Sequence, residues 1–500
     1  MWQKLYNNIL AKTLIVILPL TLQACTTVNP ATGKRDFTPF MSPSKELSIG
    51  KQQHPAILQQ NGGTYNDPKV TRYINDLGQR LVANSELSDY PFTFTVLDTP
   101  LVNAFALPGG YVYVTRGILA MVNSESALAS VVGHEIGHVT ARHSAKRYNN
   151  QMFAGLGTVL AGVVTGDSAL SESLGQGAQV YLMSYSRNQE YESDTLGIRY
   201  SSRAGYDPYA AADMLSSLDA EHKLQLLLAN RAGEPEQSDF FSTHPNTQDR
   251  VARAQSEAAK TNIPADSRDR NQDIYFSILD GMRYGDDPKQ GVINGREFIH
   301  PTMMLKFTAP ENYVLQNSST AVVARGTGAA EGSMVIFSGA SMEGTGLKEY
   351  AEATWKAYEI ENAIEGIQNI KVNNMDAVTG YATITLKEKT YIARIVAINH
   401  SGNNAYHFMM LTPQEKYQSL SDGLQRMSYS FDKISQSEAD QIKGREIQIV
   451  TVQNGDTIDS IARYMAFENY KVERFVALNG LKQGQRLQAG QKLKLIVMEK

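Results

Sequence analysis

Histidines at 134 and 138 bracket a glutamate at 135 in the run Gly133-His134-Glu135-Ile136-Gly137-His138. Side chains four apart on a helix project about 40° from one another, so imidazoles from adjacent turns can grip one divalent ion. Glu135 lies beside such an ion rather than on it, placed to take a proton from an attacking water. The five-residue pattern alone also arises by chance on helices with surface histidines. A third ligand is therefore the deciding feature. His143 is nine residues after His134, a rotation of about 900°, which on an unbroken helix points it to the opposite face. A metzincin would need Gly seven and His ten residues after the first histidine, and position 141 is Ala. Downstream, Glu190 and Asp194 stand four apart. On a second helix Glu190 can ligate zinc while Asp194 orients a ligating histidine from behind. Glu192, about 200° from Glu190, reads as a solvated residue of a charged helix face.

These residues need a scaffold. Ala127, Leu128, Val131 and Val132 predict one helix over about 124–148. Asp67 can cap a helix with Pro68 at its first position, followed by Val70, Ile74, Leu77 and Leu81 at helical spacing. Residues 92–97 and Tyr111–Thr115 alternate as strands, the second entered through Pro108-Gly109-Gly110. Further helices run to about residue 259, and the polar stretch 260–295 reads as a linker. The run 153–164 is apolar but too short to cross a bilayer. The chain has 500 residues, 42% hydrophobic and 20% charged, which suits several globular domains. A net charge of -4 argues against nucleic acid as a partner. The single Cys excludes a thiolate zinc cluster and an intrachain disulfide, so a metal site must use His and carboxylates.

The pattern resembles the zinc peptidases of the CAAX prenyl protease and HtpX family, whose signature is this histidine motif followed by Glu-x-x-x-Asp. Asn29-Pro30-Ala31-Thr32-Gly33, the segment 103–110, Thr115-Arg116-Gly117-Ile118-Leu119, Arg142-His143 and His244-Pro245 with Arg250 are similar to its soluble periplasmic branch. The resemblance covers about residues 28–255. It implies one Zn²⁺ per chain held by His134, His138 and Glu190, with Glu135 as base and Asp194 in support. It implies an edge strand at Asn103, Ala104, Phe105 and Ala106 that pairs with an extended substrate. It makes His244-Pro245 a loop over the site. There His244 is a fourth zinc ligand that shuts the enzyme off, or joins Arg250 in stabilising the oxyanion, or is structural; the three readings stay open. The membrane-embedded members have transmembrane helices, and none is expected here after residue 24, which argues against processing of prenylated peptides within the bilayer.

At the N-terminus Lys4 and Lys12 precede an apolar run suited to a signal-peptide core. Leu22-Gln23-Ala24-Cys25 resembles the bacterial lipoprotein box, which implies lipidation of Cys25. Thr26 in the following position implies an outer-membrane address. Beyond residue 295, strand-like stretches surround helices near 347–358 and 413–427, resembling the α/β sandwich of PsbP. No catalytic constellation is visible there, and His300, His400 and His407 read as structural. The last segment, with Gly455-Asp456-Thr457, Asn479-Gly480 and Ala489-Gly490-Gln491 in order, is similar to the LysM module, which binds N-acetylglucosamine polymers. Asp459 stands where many members carry Trp, so glycan binding and a plain spacer both stay open.

The expected fold is α+β and multidomain. Residues 1–24 are a signal peptide, 25–260 a mainly α, gluzincin-like zinc-peptidase domain with a small edge β-sheet, and 261–295 a linker. Residues 296–435 are an α/β sandwich and 446–498 a βααβ LysM-like domain. The expected function is a zinc-dependent endopeptidase of the bacterial envelope, lipid-anchored in the periplasm. Its partners would be unfolded or misassembled envelope proteins, peptidoglycan through the LysM-like domain, and the membrane through the lipid. The rival is a non-proteolytic envelope chaperone or assembly factor tethered to peptidoglycan.

Overall fold

The computed structural model describes residues 26–150, 152, 184–228, 244, 249–318, 320–342, 344–386 and 388–500. The expected signal peptide, Cys25, Pro245 and the apolar run 153–164 lie outside the described residues. Among those described, no helix is long and apolar enough to cross a membrane. The chain divides into two compact units. The first takes residues up to 279 except 59–63 and 220–236; the second takes those two stretches and 280–500.

In the first unit, β1 (Thr26–Val28) pairs with β2 (Arg35–Phe37), followed by α1 (Pro43–Gln60) and α2 (Pro68–Val82). Asp67 caps α2 by accepting from the Lys69 and Val70 amides, and the predicted apolar stripe is buried. Three strands follow: β3 (Thr93–Leu97), β4 (Ala104–Leu107) and β5 (Tyr111–Thr115), in the order β3-β5-β4. The strand β4 is thus an edge, antiparallel to β5. After α3 (Arg116–Met121) comes α4 (Glu125–Thr140), capped by Ser124 and buried almost all round, as a central core helix must be.

The helix expected to run to residue 148 breaks at Ala141–Arg142. Arg142 sits in the left-handed region at φ 55°, and helix resumes at 143–150. An arginine rarely adopts that conformation. Here tertiary contacts hold it: its guanidinium pairs with Glu46 at 2.7 Å and donates to the Met41 carbonyl at 2.8 Å. Asn29 closes the same corner, its amide donating to the Ala141 carbonyl at 3.1 Å.

The next helix, α5 (Arg187–Arg203), opens on a Ser186/Gln189 capping box. It approaches α4 backbone to backbone. A Cβ on Gly133 would lie 3.0 Å from the Gly197 carbonyl oxygen, and one on Gly197 would lie 2.8 Å from the His134 nitrogen. Glycine costs a helix about 1 kcal/mol relative to Ala; the return is a contact close enough to bring Glu190 and Asp194 to the histidines. Then come α6 (Ala210–Leu228), which belongs to the first unit up to Asp219, α7 (Arg250–Ala259) and α8 (Gln272–Leu279). The last corrects the linker reading of 261–295. Tyr275, Phe276 and Leu279 are fully buried, and the Tyr275 hydroxyl donates to the Leu119 carbonyl.

The second unit contains β6 (Arg283–Tyr284), β7 (Val292–Asn294), β8 (Glu297–His300) and β9 (Leu305–Thr308). Then come β10 (Tyr313–Asn317), β11 (Val322–Gly326), β12 (Met334–Ser341), β13 (Glu365–Val372), β14 (Met375–Leu386), β15 (Lys389–Ser401) and β16 (Asn404–Pro413). The last seven form one antiparallel sheet, in the order β10-β11-β12-β16-β15-β14-β13. On one face Tyr350 and Trp355 of α9 (Leu347–Ala357) pack on Val378, Ile395 and Met409. On the other, Leu424 and Met427 of α10 (Tyr417–Tyr429) pack with Phe408, Met410 and Phe431. His407 is buried between the Tyr350 and Tyr358 hydroxyls, and burial pushes it down to about 4, a structural histidine as expected. At the C-terminal end, Arg445–Thr451 and Lys492–Met498 pair antiparallel around the helices Ile458–Ala462 and Lys471–Leu478, a βααβ module.

Candidate metal centre

Helix α4 turns His134, Glu135 and His138 inward, and α5 brings Glu190 beneath them. The two imidazole Nε2 atoms are 3.0 Å apart. Glu190 Oε2 is 3.5 Å from His134 Nε2, and Oε1 is 3.4 Å from His138 Nε2. His244 joins them, its Nδ1 3.3 Å from His134 Nε2 and 3.1 Å from Glu190 Oε1. Four donors around a tetrahedral zinc at its usual bond lengths stand about 3.3 Å apart.

The hydrogen bonds fix which nitrogen of each ring faces the centre. His134 Nδ1 donates to Asp194 at 2.9 Å. His138 Nδ1 donates to His143 Nδ1 at 2.8 Å, and His143 Nε2 donates to Glu192 at 2.9 Å. His244 Nε2 donates to the Ala104 carbonyl at 3.2 Å. Each ring thus spends one nitrogen as a donor and turns a lone pair to the same point. Lone pairs so close repel unless a cation lies among them.

The charges agree. Arg250 pairs with Glu190 at 3.1 Å and with Asp194 at 2.7 Å. With the imidazoles neutral, Glu135, Glu190 and Asp194 against this one arginine leave two negative charges, which a dication neutralises. Burial opposes charge on His134, yet Asp194 and Glu190 draw its pKa up to about 10, so this ring's surroundings favour a positive charge, a proton in the metal-free site or the ion once bound. Burial drives His138 far down and His143 down, which keeps both neutral. The residues present therefore fit a divalent metal ion.

Glu135, beside Glu190, is also within ligand range of the three histidines. Glu190 nevertheless reaches both Nε2 atoms, whereas neither oxygen of Glu135 has a hydrogen-bond partner. Burial pushes its carboxyl up, which suits a group that must accept a proton.

Two expectations change. His143 does not point to the opposite face, because the break at Arg142 returns it to His138. Glu192 is not a free charge of a solvated face: it anchors His143, whose hydrogen bond holds it below the usual carboxylate range. Arg250 lies behind the carboxylates, fully buried, with its guanidinium engaged by Glu190 and Asp194 rather than presented to an oxyanion. Of the expected substrate strand, Ala104, Phe105 and Ala106 lie on the edge strand β4, while the backbone of Asn103 is already held by Thr115. Sequence reasoning missed Tyr185. Its ring stacks on His138 with centroids 3.6 Å apart, and Arg147 covers it at 3.7 Å. No spacing rule points to a lone tyrosine ahead of Ser186.

Removing an outer hydrogen bond should loosen the metal without ejecting it. Asp194→Ala and His143→Ala are each expected to weaken metal affinity roughly 10–100-fold, read by competition with a chelator. Unchanged affinity in both variants would mean that these bonds do not orient the ligands.

A buried His-Glu-x-x-His helix crossed by a helix carrying Glu-x-x-x-Asp supplies the ligands and the base that metallopeptidase chemistry needs. Residues 68–258 match the model of peptidase family M48, and residues 450–495 that of the LysM domain. Residues 68–258 are thus similar to an M48 peptidase domain and residues 450–495 to a LysM domain. It is 32% identical over 275 residues to the beta-barrel assembly-enhancing protease of Escherichia coli strain K12, covering 52% of this chain and 53% of that protein. The protein of the same name in Yersinia pestis is 35% identical over 202 residues, covering 38% and 40%. The mitochondrial metalloendopeptidase OMA1 of Schizosaccharomyces pombe is 31% identical over 203 residues, covering 40% and 56%. The chain spans about half the length of the curated relatives it matches. A solved cyanobacterial PsbP covers 27% of this chain and 91% of its own at 7% identity and TM-score 0.23, too low to carry an argument about residues 296–435.

Proposed function

We propose that the chain is a zinc-dependent endopeptidase of the bacterial envelope that degrades or processes misassembled periplasmic and outer-membrane proteins. The observation that carries this reading is the convergence of three imidazole lone pairs and Glu190 on one point beside Glu135, whose oxygens make no hydrogen bond. Zinc held there would polarise the scissile carbonyl and acidify the attacking water. Glu135 takes the proton from that water and returns it to the leaving amine. Asp194 and the His143–Glu192 pair keep the ligating rings in the required tautomer. The relatives' names support an envelope substrate, and the LysM domain supports peptidoglycan as a partner. The test is turnover of an unfolded protein such as casein. Chelation is expected to abolish it and stoichiometric Zn²⁺ to restore it; activity that survives full demetallation would sink the proposal.

His244 we read as a resting-state latch. His134, Glu135, His138 and His244 are 3%, 0%, 1% and 0% exposed, so no substrate reaches them until something moves. His244 also holds the Ala104 carbonyl, an acceptor on the edge where a substrate strand would add. Latch and substrate therefore compete for the same strand and the same coordination position. His244→Ala is expected to raise basal peptidase activity, with self-cleavage as a visible consequence. A fall of roughly 10²–10³-fold would instead give His244 the oxyanion role, and no change would make it structural.

Anchoring at Cys25 belongs to the same proposal. Cys25→Ser is expected to leave an unprocessed or soluble protein that takes up no labelled fatty acid. Label persisting in the serine variant would contradict lipidation there.

A further inference from the structure

Strand β15, inside the seven-stranded sheet, carries a charge where its pattern calls for an apolar residue. Ile392, Arg394 and Val396 alternate along β15 toward the face covered by α10. Val396 and its neighbour Met410 belong to the core on that face. Arg394 lies opposite Tyr381 on β14 and Met410 on β16. An arginine inserted in such a row breaks the strand's own pattern, and departures of this kind concentrate at functional sites.

Its surroundings leave that charge unanswered. One terminal nitrogen donates to the Thr379 hydroxyl at 3.3 Å and the other to the Tyr417 hydroxyl at 2.8 Å. The guanidinium carbon sits 5.5 Å from the Tyr381 ring centroid. Both hydrogen-bond partners are neutral, and among the described residues no carboxylate lies within ion-pair distance of Arg394. A guanidinium has five N–H donors, so the fork keeps a pair free for a planar anion. The two hydroxyls fix its orientation in advance, which spares a ligand that ordering cost.

Space adjoins it. Between the sheet and α10 lies a cavity of ≈ 280 Å³ lined by Arg394, Thr379, Ile392, Met410 and Leu424. Ser421 and Ser428 of α10 are part of its lining, small side chains that leave the space unfilled. The volume falls just under the usual range of about 300–1,000 Å³ for drug-sized ligands, so the occupant is small. Asp422, exposed at the rim, is the acidic group of the lining and forms no ion pair with Arg394.

We propose that this cavity binds a small apolar carboxylate, its carboxyl on the Arg394 fork and its apolar body against Ile392, Met410 and Leu424. The same chemistry is offered by a free short-chain acid and by the C-terminal residue of a peptide. The site is separate from the metal centre and does not depend on the peptidase reading.

The test is calorimetric titration of the full chain with hexanoate and with N-acetyl-phenylalanine, each beside its amide. At least one acid is expected to bind saturably, and roughly 10–100-fold more tightly than its amide, the worth of a hydrogen bond to a charged group. In R394M the acid should fall to the level of the amide while amide binding stays as it was. Hexanoate alone would identify a free acid as the source, N-acetyl-phenylalanine alone a peptide C-terminus, and both the shared chemistry. Three results would overturn the proposal: no saturation of either acid into the millimolar range, equal binding of acid and amide, or undiminished acid binding by an R394M protein with native near-UV circular dichroism. The comparison of acid with amide uses the unaltered protein and stands even if R394M fails to fold.

Discussion

Glu135→Gln is expected to abolish hydrolysis and leave the metal bound. Glutamine keeps the size and shape of the side chain but has no basic oxygen at neutral pH, so nothing on α4 can take the proton from the attacking water. A positioned base contributes roughly 10²–10⁴-fold, and turnover of unfolded casein should fall at least that far. Metal content should not change, because the four converging donors are untouched. Metal-free protein should also melt no lower than metal-free wild type. Glu135 is fully buried, burial raises its pKa and neither oxygen is hydrogen-bonded, so ionised Glu135 opposes folding and a neutral amide of the same shape removes that opposition. Hydrolysis near the wild-type rate would show that Glu135 is not the base. The variant also separates the two functional readings. If cells carrying it assemble their envelope normally while peptide hydrolysis is lost, the chaperone reading gains and the peptidase reading loses.

The parts of this centre that follow from local helix geometry were legible in the sequence. His134 with His138, and Glu190 with Asp194, are pairs four apart. Once each segment is helical, the turn of 3.6 residues decides where they point. Asp67-Pro68 and Tyr111–Thr115 were legible for the same reason: capping and alternation act within a few residues. What escaped depends on contacts distant in the chain. Nothing near Arg142 announces a left-handed residue, because the groups that hold it are Glu46 and Met41, about a hundred residues earlier. With that break unseen, His143 was assigned to the wrong face, and Glu192 lost the partner that gives it a role. Residues 272–279 fail differently. Tyr275, Phe276 and Leu279 are spaced for one helix face, but Pro264, Pro288 and the surrounding charges outweighed so short a signal. Arg394 was passed over because one charge in a strand looks solvated until the opposite face of the sheet is known to be covered.

Glu190→Ala is expected to empty the metal site, a larger loss than either outer-sphere change. Glu190 is the anionic member of the four converging donors and reaches both His134 and His138. Burial alone would raise its pKa, yet the three imidazoles around it hold its carboxylate far below the usual range, so it need not lose a proton to bind metal. Removing it leaves imidazoles alone. It also leaves Arg250 facing the cation with Asp194 as its remaining close carboxylate, so a repulsion is unmasked as an attraction is lost. The two effects add, and affinity should fall well beyond the roughly 10–100-fold expected for Asp194→Ala. Glu190→Gln separates them. It restores the side chain's volume and an oxygen but not the charge, so it should bind metal nearly as poorly as the alanine variant if charge decides. Metal content after dialysis, with circular dichroism to establish that α4 and α5 persist, reads the result. Equal and small losses in Glu190→Ala and Asp194→Ala would place the third ligand elsewhere, and His244 would then have to be a permanent ligand rather than a latch.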